Sequence, residues 1–238
     1  MWSEEIMDKK QKILLLIIGI LVIMAIVIGV LAFKKEKNNP VHNKVNEFKE
    51  EYESLNGVID DDGYTYQTVE IDIDAPVVYS KLKDVVELFD KEESSAVVFI
   101  GNAKDYTSRN AISPLLSAID SLGIEKLYYV DSSNFDDNKT EEYQQIMKKI
   151  DSILDTEEIK DDEGNVVGTA EKKIYVPTVI VIKDKELVDY HIGTLEENMK
   201  KENITKELTK KEKEGLFDVY TSMLLKISDG SCNEETDC

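Results

Sequence analysis

The chain has 238 residues, with 29 Lys and Arg against 49 Asp and Glu, for a formal net charge of −20. That balance excludes nucleic acid as a partner, because phosphates need a basic surface; otherwise the charge reads first as a solubility device. The length allows one domain with accessories, and two cysteines, Cys232 and Cys238 in a polar tail, exclude a disulfide framework.

A tail of residues 1–12 precedes Ile13–Phe33, 21 residues without a charge. At about 1.5 Å per residue that run spans roughly 30 Å, the hydrocarbon thickness of a bilayer. No small-residue cleavage site and no lipidatable cysteine follow it, so the expectation is an uncleaved single-pass anchor. Lys9, Lys10 and Lys12 before the run balance Lys34, Lys35 and Lys37 after it, and charge alone leaves the orientation open. A short tail ahead of one anchor places the domain outside the cytoplasm, at the cell membrane.

Residues 34–63 read as a helical stalk and linker. Asn39-Pro40 supplies an N-cap and a first-turn proline, and Val41, Val45, Phe48, Tyr52 and Leu55 form a stripe that ends at Asn56-Gly57. The stripe is too short for a lasting zipper, so docking onto the chain's own domain is expected. Asp60-Asp-Asp-Gly63 fails the calcium-loop template at both end positions and reads as an acidic turn.

The domain proper is expected over residues 64–228. Tyr64–Asp72 alternates like a strand, with Val69, Ile71 and Ile73 facing one way. Ser80 is expected to cap a helix to Phe89. Ala96–Gly101 and Leu127–Val130 are continuous apolar runs, the mark of strands covered on both faces. Ser108 is expected to open a helix to Leu122, and Thr140–Leu154 to form an amphipathic one. Asp161–Asn165 turns a small hairpin, Val179–Ile182 and Leu187–Ile192 form a second, and Thr209–Ile227 closes the chain as a helix. The order implies an α/β fold, a mixed central sheet with helices on both faces.

Glu51-Tyr-Glu-Ser-Leu-Asn-Gly57, Asp74-Ala-Pro-Val-Val-Tyr79, Val98-Phe-Ile-Gly101, Tyr128-Tyr-Val-Asp131 and Val176-Pro-Thr178 with Gly193 carry a resemblance over about Phe48–Ile227. The chain resembles the thioredoxin superfamily, and within it the membrane-bound or lipid-anchored thioredoxin-like proteins of low-GC Gram-positive bacteria. The resemblance implies a Cys-Pro-X-Cys-Arg motif shortly after Gly101, where this chain reads Asn102-Ala-Lys-Asp-Tyr-Thr-Ser-Arg109. Counting from Gly101 puts the cysteine positions at Asp105 and Ser108. Counting back from Pro114 puts them at Tyr106 and Arg109. Neither register holds a sulfur, so no mixed disulfide can form there.

Pro177 stands where the resemblance implies a cis-proline facing the active-site loop. Either it keeps a turn that folding needs, or Val176, Pro177 and Thr178, with Tyr106 and Arg109, present a groove for an extended polypeptide. The resemblance therefore implies a redox-inactive extracytoplasmic module that binds a protein or assists assembly, without cofactor or metal. The alternative is a thiol-disulfide oxidoreductase that uses Cys232 and Cys238. These two can close a small ring or join two chains, but four neighbouring acids raise their thiol pKa, the wrong direction for reactivity. His191 lacks metal-ligand spacing and reads as structural; Ser108 lacks the glycines of a nucleophile elbow.

Overall fold

A computed structural model describes residues 40–92, 94–135, 140–154, 158–160, 166–169 and 172–228. The chain divides into two compact units, Met1–Asn43 and Lys44–Cys238, and the architecture below is that of the second. The expected anchor Ile13–Phe33, the Asp161–Asn165 turn and both cysteines lie outside the described residues. Among the described residues no helix is long and apolar enough to cross a membrane.

The helices are α1 (Pro40–Glu53), α2 (Leu82–Leu88), α3 (Tyr106–Ser121), α4 (Glu141–Lys149) and α5 (Lys210–Leu224), and the strands are β1 (Val77–Tyr79), β2 (Ser95–Gly101), β3 (Leu127–Asp131), β4 (Glu158–Lys160), β5 (Val166–Thr169), β6 (Thr178–Lys183) and β7 (Glu186–Ile192). Five strands make one sheet in the order β1-β3-β2-β6-β7. The first three run parallel, and β6 and β7 are antiparallel to their neighbours. In the centre Val98 stands between Tyr128 and Ile180. The β4–β5 pair is a separate two-stranded ribbon.

Successive strand side chains point to opposite faces, and each face builds its own core. Val97, Phe99, Tyr129, Val179 and Val181 meet α1, α3 and α5 through Phe48, Tyr52, Ile112, Leu115 and Leu216. Ala96, Val98, Ile100, Val130 and Ile180 meet α2 and α4 through Val85, Phe89, Tyr143 and Ile146. The helices thus lie on both faces of a mixed sheet. The stripe of α1 is spent inside the first core, where Val45, Phe48 and Tyr52 are buried.

The edge strand β7 is blunted against pairing. It carries a bulge near Val188, and the Tyr190 amide is held by Asp189 Oδ1 at 2.8 Å. The β6–β7 turn uses Asp184 and Lys185, both with positive φ of 50° and 72°. This primed geometry suits the twist of a tight hairpin.

Several sequence expectations need correction. The helix expected to start at Ser80 starts after Lys81, whose amide is taken by Asp84 Oδ2 at 2.8 Å. Ser80 donates instead to Val78 O. The helix expected over Thr140–Leu154 ends at Lys149 and continues as a 3₁₀ turn, Asp151–Ile153. Tyr64–Asp72 alternates in burial but joins no sheet, and Ile73 is exposed rather than inward. At Val69 and Ile71 its backbone bonds go to side chains of α1 and of the residues just after that helix. Asn56 gives Nδ2 to Val69 O at 2.8 Å and takes Val69 N on Oδ1 at 2.9 Å. Glu53 Oε1 accepts from Ile71 N, and Lys49 Nζ donates to Ile71 O. Helix side chains thus stand in for a neighbouring strand.

Candidate functional site

The loop from β2 into α3 emerges at the C-terminal ends of two parallel strands, where open α/β sheets place their ligands. Gly101 ends β2, and a Cβ there would come within 2.7 Å of the Phe99 ring and 2.9 Å of Ser108 Oγ. The absent side chain lets the first turn of α3 approach the strand. Asn102 fixes the loop, giving Nδ2 to Ser132 Oγ at 3.0 Å and taking Lys104 N on its own Oδ1 at 3.0 Å.

Asp105, not Ser108, caps α3. Its Oδ1 accepts from Ser108 N and from Thr107 Oγ1, both at 2.6 Å. Ser108 lies in the first turn, fully buried, and its Oγ accepts from Asn102 N at 3.3 Å. The sequence reading placed Ser108 at the start of the helix; the close approach at Gly101 turns Ser108 inward and leaves the cap to Asp105. His191, on β7, turns Nε2 to Thr194 O at 3.0 Å just beyond the strand. Burial holds the His191 pKa low, so it stays a neutral structural residue.

Arg109 is only 2% exposed and does not line the surface where the sequence reading placed it. Its guanidinium makes five internal hydrogen bonds. Nε and Nη2 both donate to Gln67 O, at 3.0 and 2.5 Å. Nη1 donates to Tyr52 O at 2.9 Å and Ala103 O at 3.1 Å, and Nη2 to Asn56 Oδ1 at 2.6 Å. Tyr52 and Tyr66 flank the cation at 5.9 and 5.6 Å. Desolvation lowers its pKa, yet a guanidinium keeps its charge in such a setting. Among the described residues no carboxylate lies within ion-pair distance of it. A buried cation costs several kcal/mol to desolvate. One hydrogen bond from a charged group returns about 1.5–3 kcal/mol, so the full fork is needed.

Tyr106 is half-buried, the first residue of α3. Its ring stacks on Tyr66 at 4.9 Å, and its hydroxyl donates to Asp60 Oδ2 at 2.6 Å. That bond is the largest influence holding the Asp60 pKa low. Across the loop, the Val176–Pro177 peptide bond is cis, Pro177 and Thr178 are buried, and Val176 is half-exposed. Thr107 Oγ1 reaches Val176 O only at 3.4 Å. The structure therefore brings the first turn of α3, through Thr107, towards Val176 beside the cis bond, while Tyr106 turns to Asp60 and Tyr66 and Arg109 is buried.

Beside this surface Glu51 accepts from the Tyr79 hydroxyl and from Tyr129 Oη, the latter at 3.0 Å. Burial raises its pKa most; the two hydroxyls and the Ala103 amide pull down, and the charge of Asp131 adds to the rise. Glu51, Asn56 and Gly101 stood in the motifs that carry the resemblance, but nothing in those motifs says what they touch. Thr107 stood in the Asp105–Arg109 stretch that the resemblance singles out, whereas Gln67 gave no sequence signal at all. No family model matches the chain, and no curated protein matches it.

Two outcomes follow from this geometry. Arg109→Lys keeps the charge but has three donors on one atom in place of the fork, so it should lower stability by about 2–3 kcal/mol in urea melts; an unchanged midpoint would mean the fork is not needed. Glu51 binds its proton more tightly folded than unfolded. Its ionisation therefore penalises the native state at neutral pH, and the penalty fades as pH falls through the raised value towards that of an ordinary glutamate. The melting temperature of Glu51→Gln relative to wild type should be highest at neutral pH and decline as pH falls, measured by circular dichroism across that range.

Proposed function

We propose that this is a membrane-anchored thioredoxin-like domain, held outside the cytoplasm by Ile13–Phe33, that binds an extended polypeptide and performs no thiol chemistry. The strand order, three parallel strands followed by an antiparallel pair, supports this reading, as does the meeting of the β2–α3 loop with Val176–Thr178. The cap geometry favours the register in which Asp105 and Ser108 stand at the two cysteine positions. Asp105 is the N-cap, and Ser108, three residues on, faces inward.

In that register the change has a chemical logic. A nucleophilic cysteine at a helix N-terminus is held as an anion by the helix field. Here an aspartate stands at the same point as the helix cap. A carboxylate cannot form a mixed disulfide, and its oxygens are committed to Ser108 N and Thr107 Oγ1.

The observation that carries the binding reading is the sharing of one proton. The Thr107 hydroxyl has a single hydrogen, and Asp105 Oδ1 at 2.6 Å outcompetes Val176 O at 3.4 Å. Val176 is half-exposed and its carbonyl weakly satisfied, so it can take an N–H from an extended chain as a neighbouring strand would.

Hydrogen–deuterium exchange of the full chain with reduced, carboxyamidomethylated ribonuclease A, a permanently unfolded polypeptide, tests this. Slower exchange is expected in fragments covering 103–109 and 175–179 and not in α4. Unchanged exchange in both fragments at saturating polypeptide would contradict the reading.

A further inference from the structure

Residues 50–80 contain nine carboxylates and no lysine or arginine. In the same stretch lie Val58, Ile59, Tyr64 and Ile73, four of the seven large apolar side chains that stand exposed among the described residues. Ile59 is 65% exposed and Tyr64 51%. Single exposed apolar residues are ordinary; Val58, Ile59 and Tyr64 fall within seven residues of one hairpin, 57–66, with Ile59 beside Thr65 and Tyr64 towards Tyr106, so the apolar patch wraps both of its faces.

The patch is held rigid. Gly57 N donates to Tyr66 O, Tyr66 N to Val58 O and Asp60 N to Tyr64 O, at 3.1, 2.9 and 2.9 Å. Asp60 Oδ1 closes the tip on the Asp62 and Tyr64 amides, at 3.0 and 2.8 Å. Its other oxygen holds the Tyr106 hydroxyl, and the Tyr64 ring meets the Tyr106 ring edge-on at 6.3 Å. A preformed apolar surface loses little entropy on binding. Beside it, Asp61 and Asp62 are exposed and, among the described residues, without an ion-pair partner. No three acids among the described residues converge as they would around a metal ion.

The charge selects the occupant. A second copy of this chain, itself at −20, is repelled, and so is an anionic lipid surface. A segment that alternates lysine or arginine with apolar side chains satisfies both the carboxylates and the patch. Tyr106 makes the hairpin continuous with the β2–α3 loop, since the next residue, Thr107, reaches towards Val176 O. We infer that hairpin 57–66 extends the proposed polypeptide groove and selects a cationic, apolar segment of the partner. This rests on the groove reading given under Proposed function.

The test uses the full chain carrying a benzoylphenylalanine photocrosslinker at Ile59 or at Val176. Three short fluorescein-labelled peptides serve as probes: lysine alternating with leucine and tyrosine, the same with glutamate for lysine, and lysine alternating with serine. The lysine–leucine–tyrosine probe should bind most tightly and crosslink at both positions. Ile59→Ser with Tyr64→Ser, and separately Asp61→Asn with Asp62→Asn, should each weaken it about tenfold with the melting temperature unchanged. Equal binding of the glutamate probe, or binding of lysine probes indifferent to the Ile59 and Tyr64 changes, would overturn the inference. Crosslinking at 176 alone would keep the groove and overturn the hairpin's part. Crosslinking at 59 alone would uphold the hairpin's selectivity and remove the groove, and no crosslinking by any probe would overturn both.

Discussion

The buried guanidinium of Arg109 is the constraint on which the rest of the site depends. Four separate stretches of backbone or side chain end on it: Tyr52 at the end of α1, Asn56 just after it, Gln67 in the extended segment and Ala103 in the β2–α3 loop. Asn56 Oδ1 also holds Val69 N and Tyr52 O has a long bond from Leu55 N at 3.4 Å, but Gln67 O and Ala103 O depend on the cation, and a buried carbonyl left unpaired costs about 1–3 kcal/mol. The bonds are mutually enforcing. The cation is tolerable only because every donor is used, and the carbonyls are tolerable only because the cation is there.

That clasp fixes what lies above it. Arg109 sits one turn into α3, so holding it also sets the first turn of the helix, with Asp105 as cap and Ser108 inward. Asn56 carries the constraint sideways, since the same Oδ1 that meets Arg109 also accepts from Val69 N. Tyr66 takes it upward, with its ring between the guanidinium and Tyr106. The exposed hairpin, the helix cap and the Val176 carbonyl thus share one rigid base, which is what a binding surface needs if little entropy is to be lost on contact.

The layers of this fold were legible in the sequence because they depend on burial. The runs Ala96–Gly101 and Leu127–Val130 are continuous and apolar, as strands covered on both faces must be, and the α1 stripe at Val45, Phe48 and Tyr52 can only be satisfied by a core. The segment 64–72 misled for a physical reason. Its alternation is real, since one face is buried, but alternation says nothing of where the backbone bonds, and here the Val69 and Ile71 amides donate to Asn56 and Glu53 while Lys49 donates to Ile71 O. The choice between Asp105 and Ser108 as cap was equally invisible, because it is decided by the contact of Ser108 with Gly101. Arg109 was legible as a notable residue but not as a buried one: its acceptors lie up to 57 positions away, and no local pattern marks a cation that will be enclosed.

As proposed, this scaffold keeps a thioredoxin-like geometry at Asp105 and Ser108 without the sulfur. The most direct measurement is to return it, as Asp105→Cys with Ser108→Cys in the full chain, with Cys232 and Cys238 changed to Ser. The account predicts that the pair closes to a disulfide under mild oxidation and that the variant gains dithiothreitol-dependent reduction of insulin, which the same chain without the grafted cysteines lacks. A folded variant whose two thiols stay apart, or which shows no reduction above dithiothreitol alone, would contradict it.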